Sequence, residues 1–580
     1  MDHPLDKSTV ARILREISVL LQVKGENAFK SRAYDVAADR IAAIPGDLAT
    51  LVAERKLRTL PGIGAAIEEK ITELVTTGRL EYHQQLLADY PPGIIDLLKV
   101  QDLGPKKAAT LWKQLGIGDV DSLEKACREE RIRGVKGFGE KSEAKILEGI
   151  SQLRAQQADF RQRLGDVLPL SEELLARVRA TPGVIRASVA GSVRRFRETV
   201  ADVDLIASCA DPVPVMQAFA TDSHVAKVIA HGETKCSVRL FQPDIQVDLR
   251  VVPDEDYATA LHHFTGSKAH HIRLRGRAQE RGLKVSEWGV HRGEEKLPVP
   301  DEQTLYRLLD LAYVPPELRE DWGEVEAAQT ATLPARLLEL EDVQGNVHSH
   351  SVWSDGKDSL EAMAHAARAQ GLTYLTVTEH SQAAHYAGGL TEDALRRQWD
   401  EIDALNEKLE GIRLLKGIEV DILEDGSLDY PERILQQLEV VIASVHVRHS
   451  QDEDQMTRRV LAAFDNPYLH ILGHATGRLI NTRPPYGLRM AEVFEKAQRK
   501  GVVIEVNGNP HRLDLHAEHV RQALLQGVKL VVSTDSHSVR ELAHLRFSVG
   551  TARKGWARKE DVLNTLPATE FSHTLCTMRC

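Results

Sequence analysis

The sequence predicts a multidomain protein in which α+β domains are followed by an α/β domain. Residues 1–155 carry apolar residues at three- and four-residue spacing, which is typical of helices. Residues 160–255 contain strand-like segments such as GVIRASVAGS and IQVDLRVV, with short helical pieces between them. From residue 341 onward short strands alternate with helices, which indicates an α/β barrel or a layered sheet. A chain of 580 residues has room for about three or four such domains.

Charge and composition indicate a cytoplasmic protein. The net charge is −11, but Lys and Arg balance Asp and Glu over residues 1–150, so nucleic acid would be held there by local geometry. The sequence contains neither an apolar run that could span a bilayer nor a signal-peptide pattern at its start. Its five cysteines lack metal-ligand spacing, so we expect reduced thiols.

Three similar glycine-containing turns punctuate the helical region. They read LPGIG at 60–64, VQDLGPKKA at 100–108 and VKGFGEKSEAKI at 135–146, and each precedes a predicted helix. Glycines allow a ligand to approach the backbone, and the free N–H groups of the following helix attract an anion. One such turn is more often a helix connection, but three copies favour binding of nucleic-acid phosphates. The residues we assign to this contact are Gly62, Gly64, Gly104, Lys106, Gly137 and Gly139.

The middle turn departs from the pattern of the other two. Asp102 replaces its first glycine, and a carboxylate at this position is expected to weaken the contact with phosphate.

Three aspartates predict a metal site in the strand-rich region. Asp202 and Asp204 alternate on one strand and therefore face the same way, and Asp248 lies in a second strand segment. Clustered carboxylates repel one another unless cations lie between them, and Mg²⁺ favours carboxylates together with substrate phosphates. Two ions would serve phosphoryl transfer, with Ser192 and Arg195 holding the outer phosphates of a nucleotide. A D-x-D pair alone is usually a solvent-facing strand end, but the GSVRR segment upstream and VDL downstream favour the metal site.

A second set of metal-ligand candidates closes the strand-like runs of the C-terminal region. A lone histidine is usually a packed or surface residue, whereas nine candidates at matching strand ends indicate one site. Mixed imidazole and carboxylate ligands suit Mn, Zn or Fe better than Mg, and this set suffices for about three ions. The candidates are His348, His350, Asp355, His380, Glu419, His446, His474, Asp535 and His537.

Several motifs over residues 1–318 together resemble the family X DNA polymerases. These motifs are GSVRRFRETVADVD (191–204), GETKCSVRL (232–240), VDLR (247–250) and FTGSK (264–268). The resemblance implies a nucleotidyltransferase palm with a mixed β-sheet, in which two Mg²⁺ ions are held by Asp202, Asp204 and Asp248. Asp248 would activate the primer 3′-hydroxyl, and Ser192 and Arg195 would hold the triphosphate. The implied nucleotide pocket is lined by Phe264, Thr265, Gly266 and Ser267, with Arg275 near the template.

Four positions depart from the family pattern without removing a metal ligand. His263 replaces a tyrosine near the sugar, which bears on discrimination against ribonucleotides, and His271 replaces an asparagine that contacts a base edge. Ala201 replaces a glycine beside the metal ligands, and Gln246 stands where some relatives have a basic residue near the primer.

The N-terminal part resembles the small lyase domain of some family members. Lys70 matches the Schiff-base lysine by its spacing from PGIG. It follows Glu68 and Glu69, however, and Ala66 replaces a lysine of lyase-active relatives. A lysine that pairs with glutamate on a helix face is therefore as good an interpretation as a lyase nucleophile.

The histidine-rich region resembles the PHP (polymerase and histidinol phosphatase) domain over 341–580. The resemblance implies a distorted (β/α)7 barrel and metal-assisted phosphoester hydrolysis, with Mn²⁺ or Zn²⁺ at about three positions. Glu379 stands where many relatives have an aspartate, and is expected behind the ligands. Arg478 and Arg512 follow strand-like runs and are candidates for binding a substrate phosphate, whereas His449 is expected at the surface.

The combined order resembles bacterial family X polymerases fused to a PHP domain, and it implies gap-filling DNA synthesis. The expected role is base excision repair or end joining, with a Mn²⁺-dependent 3′–5′ exonuclease and an abasic-site endonuclease activity in the PHP domain. The expected substrates are gapped or primed double-stranded DNA and deoxynucleoside triphosphates, and we expect a monomer without membrane contact. The predicted divisions are 1–82 (helical, lyase-like), 83–158 (two hairpins), 159–255 (palm), 256–318 (nucleotide-binding domain), 319–340 (linker) and 341–580 (PHP).

Three other functions fit the sequence less well. A template-independent nucleotidyltransferase would not need the hairpin turns. A DNA-binding scaffold with inactive sites is disfavoured because no ligand is missing from either set. A phosphatase with a vestigial polymerase is disfavoured by the intact aspartates and the N-terminal repeats.

Overall fold

The computed structural model describes residues 7–42, 48–60, 62–91, 93–100, 102–159 and 161–579. Pro61 and Gln101, which belong to two of the glycine turns, lie outside these ranges. The chain forms two compact units, Met1–Phe160 and Arg161–Cys580. No helix within the described ranges is both long and apolar enough to cross a membrane.

The described residues of the first unit are helical, as predicted. Each of the three glycine turns precedes a helix (α4, α7 or α9), and a continuous apolar core joins the unit. The helices are α1 (Lys7–Lys24), α2 (Ala28–Ala42), α3 (Leu48–Ala53), α4 (Ala65–Thr77), α5 (Glu81–Ala88), α6 (Ile94–Leu97), α7 (Pro105–Leu115), α8 (Val120–Arg128) and α9 (Glu140–Asp159).

The second unit begins with a five-stranded mixed sheet in the order β2-β4-β7-β6-β5, which matches the predicted palm. Within this sheet β4 and β7 are parallel and the other neighbours are antiparallel. The elements are β1 (Gln162–Arg163), α10 (Leu164–Ala180), β2 (Val184–Val189), α11 (Gly191–Arg194), β3 (Thr199–Val200), β4 (Asp202–Cys209), α12 (Val213–Ala220), β5 (Val225–His231), β6 (Lys235–Leu240) and β7 (Gln246–Val252).

A smaller mixed domain follows the palm. The stretch 319–340, predicted as a linker, packs against this domain, because Arg319 and Glu324 are fully buried and Val325 and Leu337 belong to its apolar core. The elements are α13 (Tyr257–Thr265), α14 (Lys268–Glu280), β8 (Lys284–Ser286), β9 (Gly289–Arg292), β10 (Glu295–Leu297), α15 (Glu302–Leu308) and α16 (Glu324–Gln329).

Seven parallel strands in chain order form the C-terminal barrel. Their elements are β11 (Gly345–Asn346), α17 (Leu360–Ala369), β12 (Tyr374–Val377), α18 (Glu392–Asn406), β13 (Arg413–Asp421), α19 (Glu432–Leu435), β14 (Val440–Ser444), α20 (Glu453–Ala463), β15 (Ile471–Leu472), α21 (Met490–Lys500), β16 (Val503–Asn507), α22 (Ala517–Leu525), β17 (Leu530–Ser533), α23 (Leu545–Lys554) and α24 (Ala568–Arg579).

The barrel is nearly closed between its first and last strands. Ser349 and Ser536 form a parallel bridge just beyond the ends of β11 and β17. The side-chain amide of Asn564 donates to the carbonyls of Gly345 and Val532, both at 2.7 Å, and so joins the two strands. The prediction of a distorted seven-stranded barrel is confirmed, and all strand carboxyl ends lie at one mouth.

Candidate functional sites

The sheet register gathers the three palm aspartates. In the parallel pairing of β4 with β7, Asp204 lies opposite Asp248 and Asp202 lies opposite Gln246. Since side chains two residues apart on a strand share a face, the three carboxylates project from the same side of the sheet. Two adjacent parallel strands thus bring three carboxyl groups together on one face of the palm sheet, near the start of β4 and β7.

The charges on this face are only partly compensated within the chain. Burial and the neighbouring charges of Asp202 and Asp248 raise the pKa of Asp204 to about 7. Burial opposes ionisation of Asp248 as well, but hydrogen bonds from Lys235, Gln246 and Ser237 hold its pKa below the usual value. The Nζ atom of Lys235 lies 2.7 Å from Asp248 Oδ2. A divalent cation would relieve the remaining repulsion, so this donor set fits Mg²⁺.

The Gly-Ser pair before the arginines lies directly against this face. Gly191 has φ +61°, and a Cβ atom there would come within 2.2 Å of Asp204 Oδ2, so a side chain is excluded. The hydroxyl oxygen of the next residue, Ser192, is buried and has no hydrogen-bond partner among the described residues. A buried polar atom without a partner favours a ligand such as a phosphate oxygen.

The two arginines of the motif connect the palm to the following domain. Arg194 donates to Thr265 Oγ1 at 2.7 Å and pairs with Glu302 at 2.7 Å. Arg195 Nε lies 3.1 Å from Glu320 Oε1, and Arg195 Nη1 donates to the carbonyl of Thr265. Arg195, the predicted triphosphate ligand, is thus already held in place by a carboxylate and a carbonyl.

The predicted nucleotide-pocket residues lie around the start of α14. The guanidinium of Arg250 lies over the ring of Phe264, with its Cζ atom 4.4 Å from the ring centroid. Thr265 is fully buried and acts through its hydroxyl and carbonyl on the two arginines. Gly266 is close to Arg195, since a Cβ atom there would lie 2.9 Å from Nη1. Ser267 caps α14 by accepting from His270 N at 3.2 Å.

His263 and His271 form a stacked pair beside Phe264. Their ring centroids are 5.6 Å apart, and His271 Nε2 donates to the carbonyl of His263 at 2.9 Å. Burial lowers the pKa of His271 to about 3, so its ring is neutral and points inward. Arg275 approaches His263 Nδ1 at 3.4 Å and is otherwise exposed.

The mouth of the barrel brings all nine predicted ligands together around Glu419. Its carboxylate lies 2.9 Å from His380 Nδ1, 3.2 Å from His446 Nε2 and 2.8 Å from His474 Nε2. Asp535 Oδ1 lies 3.3 Å from His350 Nε2 and 3.6 Å from His348 Nε2. Asp355 completes the set at 3.3 Å from His537 Nε2.

Three observations show that the arrangement fits metal ions. Three groups each have their ligand atoms within 4.8 Å of one another: His350/Asp355/His380/His537, His348/His350/Asp535 and His380/Glu419/His446. Buried atoms such as His348 Nε2, His350 Nε2 and Glu419 Oε2 have no well-formed hydrogen bond in the described ranges. His474 and Asp535 also have positive φ, +21° and +51°, which is strain of the kind found at functional sites.

Two carboxylates behind the ligands were missed by the sequence analysis. Glu505 Oε1 lies 2.6 Å from His348 Nδ1, and Asp421 Oδ1 lies 3.2 Å from His446 Nδ1. Burial disfavours a charged ring, but Glu505 and Glu419 raise the pKa of His348 well above its usual value. Such contacts orient the ring and leave Nε2 for a metal. The signal was a charged residue inside each of two buried strands, IEVD and VIEVN.

Four further polar residues that the sequence singles out near the barrel mouth differ in their contacts with the ligand cluster. The carboxylate of Glu379 is fully buried and accepts from Ser351 N at 3.0 Å, which supports the loop that carries Asp355. Arg512 Nε lies 3.4 Å from Asp535 Oδ2, next to the cluster. Arg478, predicted to bind a substrate phosphate, pairs instead with Glu198 of the palm at 2.7 Å. His449 lies outside the cluster and stacks on Tyr486.

The three hairpin turns have similar backbone geometry. Gly62 and Gly137 have φ +92° and +94°, and Asp102 occupies the equivalent place with φ +65°. Aspartate tolerates this conformation better than most residues, which explains the substitution. A Cβ atom at Gly64, Gly104 or Gly139 would meet nothing within 4 Å, so these glycines leave the backbone open to a ligand. Lys106 is exposed in the first turn of α7.

Lys70 lies half-buried on α4. Its Nζ donates to the carbonyl of Ala66 at 3.3 Å and lies 4.9 Å from the ring centroid of Tyr82. Both the lyase nucleophile and the helix-face lysine are compatible with this position.

Four family models match separate parts of the chain. They are described as a helix-hairpin-helix domain (residues 6–80), a SAM-like helix-hairpin-helix tandem (94–152), a DNA polymerase beta thumb (260–320) and a PHP domain (346–509).

Curated relatives cover the chain to different extents. The DNA polymerase/3′-5′ exonuclease PolX of Bacillus subtilis (strain 168) is 40% identical over 563 residues, which is 97% of each chain. A probable phosphatase of Thermoanaerobacter sp. (strain X514) is 29% identical over 38% of this chain and 89% of its own. Another, of Clostridium novyi (strain NT), is 30% identical over 33% of this chain and 78% of its own. Because the PolX relative matches over almost its full length, the chain belongs to the family X DNA polymerases that carry a C-terminal PHP domain.

Proposed function

We propose that this protein is a DNA polymerase that fills short gaps during DNA repair and that its barrel is a 3′–5′ exonuclease. The observation that carries the polymerase assignment is the register that sets Asp204 opposite Asp248 beside Asp202. The name of the Bacillus subtilis relative, a DNA polymerase/3′-5′ exonuclease, supports both activities.

In the polymerase reaction the three palm aspartates would hold two Mg²⁺ ions. When bound, these ions supply charge neutralisation and orient the reacting oxygens of an in-line phosphoryl transfer. Asp248, whose pKa is held low by its hydrogen bonds, accepts the proton of the primer 3′-hydroxyl. Ser192 Oγ and Arg195 bind the triphosphate, and Phe264, Gly266 and Ser267 border the sugar and base.

The barrel site hydrolyses the terminal phosphodiester of a DNA strand. Its nine ligands would hold Mn²⁺ or Zn²⁺ at about three positions, and such ions would supply Lewis-acid activation of water and charge neutralisation at the phosphate. Glu505 and Asp421 orient the ligand rings, and Arg512 binds the phosphate beside Asp535. A site of this kind also accepts the phosphate next to an abasic sugar, so we include abasic-site endonuclease activity.

Because of its hairpin turns, the protein prefers duplex DNA with a short gap as its substrate. Gly62, Gly64, Gly104, Lys106, Gly137 and Gly139 contact backbone phosphates without reading sequence. A DNA 3′ end is the shared substrate of both sites, since one extends it and the other removes its last nucleotide.

One assay tests this proposal directly. Gapped DNA with a labelled primer is incubated with Mg²⁺ or Mn²⁺, with and without deoxynucleoside triphosphates. Extension with nucleotides and Mn²⁺-dependent shortening without them are the expected results. Absence of extension on gapped DNA contradicts the polymerase, whereas release of phosphate from small phosphate esters without shortening favours a phosphatase.

A further inference from the structure

The palm segment Arg194–Glu198 is packed between the nucleotide-binding domain and the barrel. The ring of Phe196 fills the space over Gly550 of α23, where a Cβ atom would lie 2.2 Å from the ring. Glu198 pairs with Arg478 of the barrel at 2.7 Å. The apolar core of the palm also includes the barrel residues Ile480, Leu513 and Phe547. The barrel therefore forms part of the wall behind the arginine motif of the polymerase site.

Lys554, the last residue of α23, contacts this segment from the barrel side. The residue is 4% exposed, and its Nζ lies 2.7 Å from Glu320 Oε1 and 2.9 Å from the backbone carbonyl of Arg195. The same Oε1 atom lies 3.1 Å from Arg195 Nε. One carboxylate oxygen is thus shared between the guanidinium of the polymerase motif and an ammonium group of the barrel.

We propose that Lys554 of the barrel is a positioning residue for the polymerase reaction, because it fixes Arg195 for binding the nucleotide triphosphate. This inference rests on the proposed triphosphate-binding role of Arg195. The chemical class of the ligand is a nucleoside triphosphate, and Lys554 acts on it through Arg195 and Glu320 without touching it.

Two physical effects of Lys554 act in the same direction. Its charge occupies part of the negative potential of Glu320, which would otherwise be shared only by Arg195 and the more distant Arg197. Glu320 would then compete more strongly with the triphosphate for the guanidinium of Arg195. Its hydrogen bond to the carbonyl of Arg195 fixes the backbone from which that side chain extends. Loss of the ammonium group therefore weakens nucleotide binding in two ways. Glu320 competes more strongly for the guanidinium of Arg195, and the backbone of Arg195 is held less firmly.

The ammonium group is charged at neutral pH. Burial lowers the pKa of Lys554 to about 8, against the opposing effect of Glu320. The two nearby arginines, Arg195 and Arg197, also lower it.

The experiment compares three substitutions at position 554 in the full-length protein. Nucleotide addition on gapped DNA with Mg²⁺ is measured for Lys554→Met, Lys554→Gln and Lys554→Arg, with separate determination of KM for the nucleotide and Kd for DNA. The expected result is a KM for the nucleotide raised about tenfold in Lys554→Met and Lys554→Gln. The Kd for DNA stays unchanged, and Lys554→Arg restores KM to within about twofold.

Arg546→Gln is the matched control at the same domain boundary. Arg546 Nη1 pairs with Glu172 of the palm at 3.0 Å and is half-exposed, but neither residue contacts Arg195. The KM of Arg546→Gln for the nucleotide is expected to equal that of the wild type. An equal rise in Arg546→Gln would assign the effect to general loosening of the boundary and overturn the proposal.

Folding and function are separated by further readouts. Thermal melting and DNA binding show whether each variant is folded, and a folded Lys554→Met or Lys554→Gln protein with wild-type KM overturns the proposal. If both variants unfold, the ratio of the wild-type KM to that of Lys554→Arg decides, because this ratio must rise as Lys554 loses its proton above pH 8, and a constant ratio overturns the proposal. A wild-type protein that adds no nucleotide contradicts the proposed function itself, which is a different outcome from an unaltered KM.

Discussion

Asp204 and Asp248 lie opposite each other in the parallel pairing of β4 and β7. Their carboxylates differ in environment, since the pKa of Asp204 is raised to about 7 by burial and its acidic neighbours, whereas Asp248 is stabilised as an anion by Lys235. Asp248 is therefore ionised at neutral pH, whereas a cation bound beside Asp204 would lower the raised pKa of that carboxyl group.

We expect Asp248→Asn to abolish nucleotide addition on gapped DNA and to leave Mn²⁺-dependent shortening intact. Asp248 is proposed to help hold a metal ion and to take the proton of the primer hydroxyl, so its removal should lower kcat on the order of 10⁴-fold. The measurement is single-turnover extension of a labelled primer with Mg²⁺, paired with exonuclease assay in Mn²⁺.

His446→Ala is the reciprocal variant. His446 Nε2 lies 3.2 Å from Glu419 Oε1 at the barrel mouth, so its loss should remove shortening and preserve extension. If either single change eliminated both activities in a folded protein, the picture of two separate sites would be wrong.

The contact between Glu505 and His348 gives a prediction about metal affinity. Glu505→Gln removes the charge that orients the His348 ring at 2.6 Å, and such contacts behind ligands are worth about 10–100-fold in metal affinity. We expect Mn²⁺ binding to weaken by this factor, as measured by electron paramagnetic resonance of free Mn²⁺. Glu495→Gln, on the exposed face of α21, is the control and should leave affinity unchanged.

Many residues of both candidate sites could be predicted because side chains alternate between the two faces of a strand and because strand ends meet at one side of a barrel. Alternation along β4 places Asp202 and Asp204 on one face, and candidates that close successive strands must meet at one barrel mouth. Glu505 and Asp421 were not identified because a charged residue inside an apolar strand can be structural, and only the partner ring reveals its role.

Contacts between segments that are far apart in the sequence could not be predicted from local sequence patterns. Phe196 reads as an isolated aromatic in a polar motif, and nothing near it in sequence indicates that it packs on Gly550. The position of Arg478 after a strand end predicts binding of a substrate phosphate, yet its partner is Glu198, which lies far away in the sequence. The stretch 319–340 reads as a linker by its prolines and acids, but the buried pairing of Arg319 with Glu302 at 2.7 Å makes it part of a domain.

The hairpin assignment predicts a steep dependence of DNA affinity on salt. Phosphate contacts release counterions, so log Kd should change linearly with log salt concentration. Lys106→Ala should reduce that slope by about one, since Lys106 is an exposed cation at the start of α7. Lys99→Ala is the control, because Lys99 Nζ is paired with Asp96 at 2.7 Å. A flat dependence for the wild type would count against phosphate binding by the hairpins.

His263 gives a prediction about sugar discrimination. Its ring lies between Phe264 and His271, with centroids 4.9 and 5.6 Å away, and is partly exposed beside the proposed nucleotide pocket. Tyrosine is larger and reaches further toward the sugar, so His263→Tyr should lower the ratio of ribo- to deoxyribonucleotide incorporation about tenfold. The ratio of kcat/KM values on gapped DNA measures it, with the exposed His365→Tyr as control. An unchanged ratio would show that position 263 does not contact the sugar.

The pKa of Lys554 predicts how nucleotide binding depends on pH. The folded protein holds this pKa at about 8, below the ordinary value of 10.5, so the ammonium is present below pH 8 and is lost as pH rises through that value. The charged groups facing it are Glu320, Arg195 and Arg197. Against the effect of burial, Lys554 and Arg195 lower the pKa of Glu320, and burial lowers the pKa of His516, which lines the same small cavity as Lys554.

We therefore expect the KM for the nucleotide to rise severalfold between pH 7 and pH 9.5 in the wild type and to change less in Lys554→Arg, whose guanidinium stays protonated. The ratio of the two KM values cancels effects of pH on the primer hydroxyl and on the triphosphate, which are common to both proteins. A ratio that stays constant across the range would mean that the charge at position 554 does not reach the nucleotide site through Arg195.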